Sequence, residues 1–203
     1  MRKIGIMGGT FDPIHIGHLA LAQFAMDEEG LDEVWFVPTG CSYMKKDREV
    51  LSSAERYEMT RLAALGNPRM RCLDIEIKRD GYSYSYETLE ELKKEYPGEE
   101  FFFLFGADCL FAIETWKHPE RIFSNAKIIA AVRNGADIAD MGSQIEKLRH
   151  KYGAEIKLLP FLNLEISSTD LRERVRNGKS IRYLVPDKVL YYIEEKGFYR
   201  NEK

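Results

Sequence analysis

MGGTFDPIHIGH, residues 7–18, follows directly on the short strand-like run Lys3 to Ile6, KIGI. Two glycines after a short apolar strand let the backbone turn tightly and approach a ligand closely. A helix is expected to begin near Ile16, so its free N–H groups and the positive end of its dipole face this loop. Together they make an anion site. His15 and His18 lie three apart and therefore share one side of the helix start, where imidazole N–H groups add donors. The loop lacks the spacing of a dinucleotide fingerprint or a P-loop, and a glycine turn between strand and helix is common. Zinc is a weaker reading of the histidines, because helical zinc pairs sit four apart and need further ligands. No metal site is expected.

Working outward, apolar runs and helical patterns alternate along the 203 residues. Strands are expected at KIGIM (3–7), DEVWFVP (32–38), MRCLDIEI (70–77), EEFFFLFG (99–106), KIIAAV (127–132) and EIKLLP (155–160). Helices are expected from Ile16 to Gly30, from Ser52 with Glu55 at capping-box spacing, before Pro97-Gly98, from Ser167 or Ser168, and between Pro186 and Gly197. This alternation predicts an α/β fold of Rossmann-like, doubly wound type, with a mainly parallel sheet and helices on both faces. It also predicts one domain over residues 1–203, with a small helical part from about 167 to 203. In such sheets ligands sit at the carboxyl ends of the strands.

Bulk properties narrow the function. The net charge of −3 argues against nucleic-acid binding through a general field, so phosphate recognition should be local. Hydrophobic residues are 44%, but no apolar run approaches the ~20 residues that cross a bilayer. Three widely spaced cysteines, Cys41, Cys72 and Cys109, form neither a disulfide framework nor a zinc pattern, and suggest a reducing cytoplasm.

The stretch ISSTDLR, residues 166–172, supplies a second helix start with hydroxyls at Ser167, Ser168 and Thr169. Arg172 is expected in the first turn, where a cation is unfavourable for the dipole unless an anion sits beside it. Alone, Ser167 reads as a cap and Arg172 as a solvated side chain. Paired with the first loop, both are expected at phosphate.

GTFDPIHIGH (9–18) resembles the T/H-x-x-H signature of the nucleotidyltransferase superfamily, and ISSTDLR its ISST-x-x-R signature. FVPTG, SSAERYEM, GYSYSYETL, FGADCL with Trp116, and SIRYLVPDKVLYYIEEKGFY extend the similarity to bacterial nicotinate-nucleotide adenylyltransferases over nearly the whole chain. The resemblance implies adenylyl transfer from ATP to nicotinate mononucleotide, giving deamido-NAD and pyrophosphate. It implies ATP contacts at Gly8, Gly9, Thr10, Phe11, His15, His18, Gly106, Asp108, Arg133, Ser167, Ser168, Thr169 and Arg172, with His15, His18 and Arg172 catalytic. It implies nicotinate-nucleotide contacts at Thr39, Lys45, Lys46, Ser83, Tyr84, Ser85 and Trp116. Mg2+ is expected to arrive with ATP. Asp108 reads equally as a helix N-cap, Trp116 as a core residue, and Ser83 to Ser85 as a loop before a helix.

Two stretches depart from the family pattern. CSYMKKD (41–47) lacks the usual Pro-Pro-His-Lys run, and SYSYETL carries Ser85 for Thr and Glu87 for Asp. Alternatives are transfer to nicotinamide mononucleotide or phosphopantetheine, a non-catalytic nucleotide sensor, and a tRNA-linked role. The expected partners are ATP and nicotinate mononucleotide, without nucleic acid or membrane; self-association into a homo-oligomer is an open alternative.

Overall fold

The structure, a computed structural model, describes residues 1–42, 50–132, 138–161 and 164–200. Six strands form one parallel sheet: β1 (Lys3–Gly9), β2 (Glu33–Pro38), β4 (Met70–Cys72), β6 (Glu100–Gly106), β7 (Lys127–Val132) and β8 (Ile156–Pro160), in the order β4-β2-β1-β6-β7-β8. All six expected strands are present. The strand order reverses direction between β1 and β6, which pair in the register Ile4–Phe101 and Ile6–Phe103. Ligands are expected outside the carboxyl ends at such a switch point. The loops leaving β1 and β6 are those with GGTFDPIH and GAD.

The sheet's strands, apart from the edge strand β4, serve two cores. In β6, Phe101, Phe103 and Phe105 face one side and Phe102 and Leu104 the other. The first side is covered by α3 (Ser85–Glu95), α4 (Asp108–Ala112), α5 (Pro119–Asn125) and α6 (Ile138–Tyr152), through Leu89, Leu110, Ile122 and Leu148. The second is covered by α1 (Ile16–Glu28), α2 (Ser53–Ala64), α7 (Ser168–Arg176) and α8 (Asp187–Lys196), through Ala22, Met59, Leu171 and Ile193. Burial on both faces explains why β6 reads as an unbroken apolar run. Among the described residues, no helix is long and apolar enough to cross a membrane.

The caps follow the sequence. The Ser52 hydroxyl accepts from the Glu55 N–H while the Ser52 N–H donates to the Glu55 carboxylate, closing a capping box. Gly197 ends α8 in the left-handed conformation at φ 68°.

Two expectations need correction. The third strand stops at Cys72 rather than Ile77. It is an edge strand with only β2 to pair, and its continuation turns inward, with the Lys78 N–H bonded to the Asp74 carbonyl at 3.0 Å. Ser83 is not in a plain loop: it lies in β5 (Tyr82–Ser83), a two-residue strand paired in parallel with β3 (Cys41–Ser42). Tyr84 is then the N-cap of α3, and Ser85 its first residue.

Candidate active site

The loop after β1 is held by residues from distant parts of the chain. Arg56 of α2 is 4% exposed. Its guanidinium donates to three carbonyls: Thr10 at 2.8 Å, Gly40 at 3.0 Å and Leu51 at 3.0 Å. Burial pushes this guanidinium below its ordinary value and the nearby Asp12 pulls it back. Asp12 is itself buried and accepts the Tyr199 hydroxyl at 2.7 Å. Burial and then Asp12 hold Tyr199 well above the ordinary tyrosine value, so it is a permanent donor.

The two signature motifs meet at this loop. Ser168 Oγ donates to the Pro13 carbonyl at 2.9 Å, and Arg172 Nη1 donates to the Asp12 carbonyl at 2.7 Å. Arg172 Nη1 also lies 3.9 Å from the Asp12 carboxylate. Ser167 is the N-cap of α7 and accepts from the Asp170 N–H at 3.1 Å. Arg172 is the fifth residue of that helix, past the first turn where it was expected. Its position therefore owes less to the helix dipole than to the Asp12 carbonyl. Thr169 Oγ1 accepts from Arg172 Nη2 at 3.3 Å.

His15 is the N-cap of α1, and no acidic residue occupies the first turn of that helix. The His15 and His18 rings stack with centroids 3.6 Å apart. Phe11 is buried at φ 50°, and the edge-to-face contact between its ring and that of His18 has centroids 5.0 Å apart. Its side chain thus supports the histidine, while any role toward a ligand falls to its backbone. The His15 N–H donates to His18 Nδ1 at 3.3 Å. In the neutral ring the proton then sits on Nε2, leaving Nε2–H as the donor. Burial, and secondarily His15, hold His18 well below the ordinary histidine value, so the ring is neutral at pH 7.

That depression has a sign that can be measured. The folded chain refuses a proton that the unfolded chain accepts below about pH 6.5. His18 therefore contributes stability fully above that pH, and the contribution is lost as pH falls toward its folded value. The melting temperature is expected to drop more steeply between pH 6.5 and 5 in the wild type than in His18→Asn. Parallel curves would refute the depression.

Beside the loop lies a cavity of about 350 Å³. Of the residues expected at the nicotinate nucleotide, Thr39, Ser83, Tyr84, Ser85 and Trp116 line it, and Gly8, Gly9 and Thr10, where β1 passes into its loop, form one edge. Ile6, Val37, Phe103 and Phe105 make an apolar wall. Trp116 is both a core and a site residue: it packs edge-on against Phe103 and Phe105 while lining the cavity. Its Nε1 is buried without a hydrogen-bond partner, and so is Ser83 Oγ. Ser83 nonetheless stands near enough to Glu76 to favour its ionised form.

His15, His18, Phe11, Gly106, Asp108 and the α7 residues are not in the cavity wall. Asp108 is exposed and is the first residue of α4, whose N-cap is Ala107, so the N-cap alternative is corrected. A Cβ at Gly106 would stand 2.5 Å from Asp108 Oδ1, so the glycine leaves room for the exposed carboxylate beside the end of β6. Lys45, Lys46 and Arg133 lie outside the described residues.

Besides its apolar wall, the cavity holds four residues with polar or ionisable side chains that were not anticipated: Glu76, Thr88, Cys109 and Lys117. Lys117 Nζ sits 4.1 Å over the Tyr84 ring, in cation–π contact. Burial raises the Cys109 thiol to about 11. A Cβ at Gly40 would come within 2.1 Å of the Glu76 carbonyl, which fixes how closely these two wall segments approach.

A parallel sheet that gathers two helix starts onto one loop at its switch point has the architecture of a Rossmann-like nucleotidyltransferase. Residues 6–174 match the family profile described as Cytidylyltransferase-like. Within that class, the chain belongs to the nicotinate-nucleotide adenylyltransferase family. It is 44% identical to the "Probable nicotinate-nucleotide adenylyltransferase" of Lachnoclostridium phytofermentans, over 98% of this chain and 100% of that one. The protein of the same name from Desulfitobacterium hafniense is 43% identical, over 98% and 96% of the two chains. Among solved structures, the Plasmodium falciparum nicotinic acid mononucleotide adenylyltransferase complexed with NaAD superposes with a TM-score of 0.80. That match covers 98% of both chains at 21% identity, and so speaks for the fold.

Proposed function

We propose that this chain transfers the adenylyl group of ATP to nicotinate mononucleotide, releasing pyrophosphate and forming deamido-NAD. The observation that carries the reading is the junction of Ser168 and Arg172 with the carbonyls of Pro13 and Asp12. It sets both phosphate motifs at one place, beside a cavity lined by Trp116 and by Ser83 to Ser85.

The chemistry needs little from the protein beyond placement. The attacking group is a phosphate oxygen of the acceptor, already ionised near neutral pH because its second pKa is ~6. No general base and no side-chain nucleophile are required. The protein must align two anions and stabilise the charge that builds on the triphosphate. In this reading, backbone groups of Gly8, Gly9, Thr10 and Phe11 and the rings of His15 and His18 take the ATP phosphates from one side. The α7 start, with Ser167, Ser168, Thr169 and Arg172, takes them from the other. Gly106 and Asp108 meet the adenosine, with Asp108 accepting from a ribose hydroxyl, and Arg133 covers the adenine. Ser83 to Ser85, Trp116 and Thr39 take the pyridine end of the acceptor, with Lys45 and Lys46 at its phosphate.

Among the described residues, no cluster of three or more His, Cys, Asp or Glu is placed to hold a metal ion. Mg2+ enters this reading as an ion carried by the ATP phosphates and its own waters, where it neutralises charge on the leaving group. The unpaired thiols of Cys41, Cys72 and Cys109 support a reducing cytoplasm as the working compartment.

A pyrophosphate-release assay tests the reaction. With ATP and Mg2+, nicotinate mononucleotide is expected to turn over faster than nicotinamide mononucleotide or phosphopantetheine in parallel reactions. No product from nicotinate mononucleotide at millimolar concentration would sink the reading.

A further inference from the structure

Sealed into the cavity wall is a carboxyl group that adenylyl transfer does not use. Glu76 is 7% exposed, beside Ser83 at 6% and Thr88 at 3%. The Thr88 hydroxyl donates to Glu76 Oε1 at 2.7 Å, and Arg79 Nη1 donates to that hydroxyl at 3.1 Å. The Gly40 N–H also favours the ionised carboxyl. Burial outweighs these donors and raises Glu76 above the ordinary carboxyl range.

Arg79 and Arg56 lie near enough to favour the ionised carboxyl, but each spends hydrogen bonds on other groups. Arg79, on the same segment, is paired with Glu91 of α3 at 2.6 Å and lies 3.9 Å from Glu87. Arg56 of α2 spends its guanidinium on the three carbonyls already described. Lys117, entering from the segment before α5, lies over the Tyr84 ring. The Cys109 thiol at the start of α4, raised to about 11, stays neutral. A second carboxylate entering this cavity therefore meets a like charge across a partly apolar space. Two carboxylates in one site do not both ionise freely; one is driven to hold a proton.

We propose that Glu76 and the ring carboxylate of an acidic pyridine nucleotide share one proton in this cavity, so that Glu76 determines how the pocket separates the acid from the amide. The inference rests on the reading of the cavity as the acceptor site. Only an O–H bond forms. A proton from solvent moves to Glu76, whose new O–H donates to the incoming carboxylate while Oε1 keeps the Thr88 hydroxyl. Trp116 Nε1, buried without a partner, is a further donor, and the Ser83 hydroxyl beside Glu76 is another. An amide brings no charge and takes up no proton at this site.

Titration calorimetry on the intact enzyme, in two buffers of different ionisation enthalpy, tests this with nicotinate and nicotinamide mononucleotides. Their phosphates are identical, so the difference between them isolates the ring substituent. The acid is expected to take up as much as one proton more than the amide. Its Kd should weaken by up to about tenfold per pH unit above neutrality, the limit for one linked proton, while the amide does not share that slope. Glu76→Gln should abolish both differences, with a thermal melt confirming that it folds; if it does not fold, the wild-type pH slopes decide. Equal proton uptake by the two nucleotides, or a difference that survives in Glu76→Gln, overturns the inference and leaves adenylyl transfer standing. If neither nucleotide binds or reacts, the functional reading falls and the inference falls with it.

Discussion

Replacing His18 by alanine is expected to lower kcat by about 10²–10³-fold, the loss typical of removing one preorganised donor from a developing oxyanion. The KM for ATP should change far less. The reason lies in the tautomer and charge of this ring. Its Nδ1 is occupied by the His15 N–H, and its pKa is depressed, so a neutral Nε2–H is the group left to donate. A neutral donor adds little to binding a solvated triphosphate in the ground state. It matters more when negative charge concentrates on the departing pyrophosphate, because only interactions stronger in the transition state raise kcat. Steady-state kinetics with ATP and nicotinate mononucleotide make the measurement. A rise in KM for ATP that matches the fall in kcat/KM, with kcat unchanged, would show that His18 only binds.

Arg56→Ala is expected to destabilise the fold by about 3–5 kcal/mol, in the range for breaking a buried charged network. At ~2–4 °C per kcal/mol for a chain of this size, the melting temperature should fall by about 6–20 °C. The carbonyls of Thr10, Gly40 and Leu51 all lose their donor at once. These belong to the loop after β1, the segment beside the cavity and the approach to α2, so activity should fall alongside stability. Arg56→Lys keeps the charge but not the planar fork, and should land between the two. Thermal unfolding by circular dichroism reads the series. A shift under about 2 °C for Arg56→Ala would mean that the three carbonyls find water and that the network is dispensable.

Local pattern revealed the sheet and both motifs. The central strands stand out because a buried parallel strand must be apolar along its whole length, as in EFFFLFG of β6. The caps at Ser52 and Ser167 are equally local, since each side chain bonds a backbone group three residues on. The end of β4 was hidden because alternation in MRCLDIEI continues past the point where the edge strand loses its partner. That same alternation places Glu76 opposite Ile75 and Ile77, whereas the chain turns there and buries the carboxyl. Helices α4 and α5, of 5 and 7 residues, are too short for their period to show.

Long-range partners were the least legible. The hydrogen bond from Arg56 to Thr10 spans 46 residues, and that from Tyr199 to Asp12 spans 187. Nothing local marks which carbonyl a side chain will meet. One signal was available: Arg56 shares its helix face with Met59, Thr60 and Ala63, all buried. A guanidinium at that spacing on an apolar face must find buried acceptors, and carbonyls of the loop above α2 are what it finds.

The bond from Tyr199 to Asp12 also sets an order of events during synthesis. Asp12 leaves the ribosome long before the hydroxyl that fastens it, which lies 187 residues further along the chain. The nascent chain therefore cannot complete the loop after β1 early, and a fragment released partway carries the first motif without the clasp that shapes it.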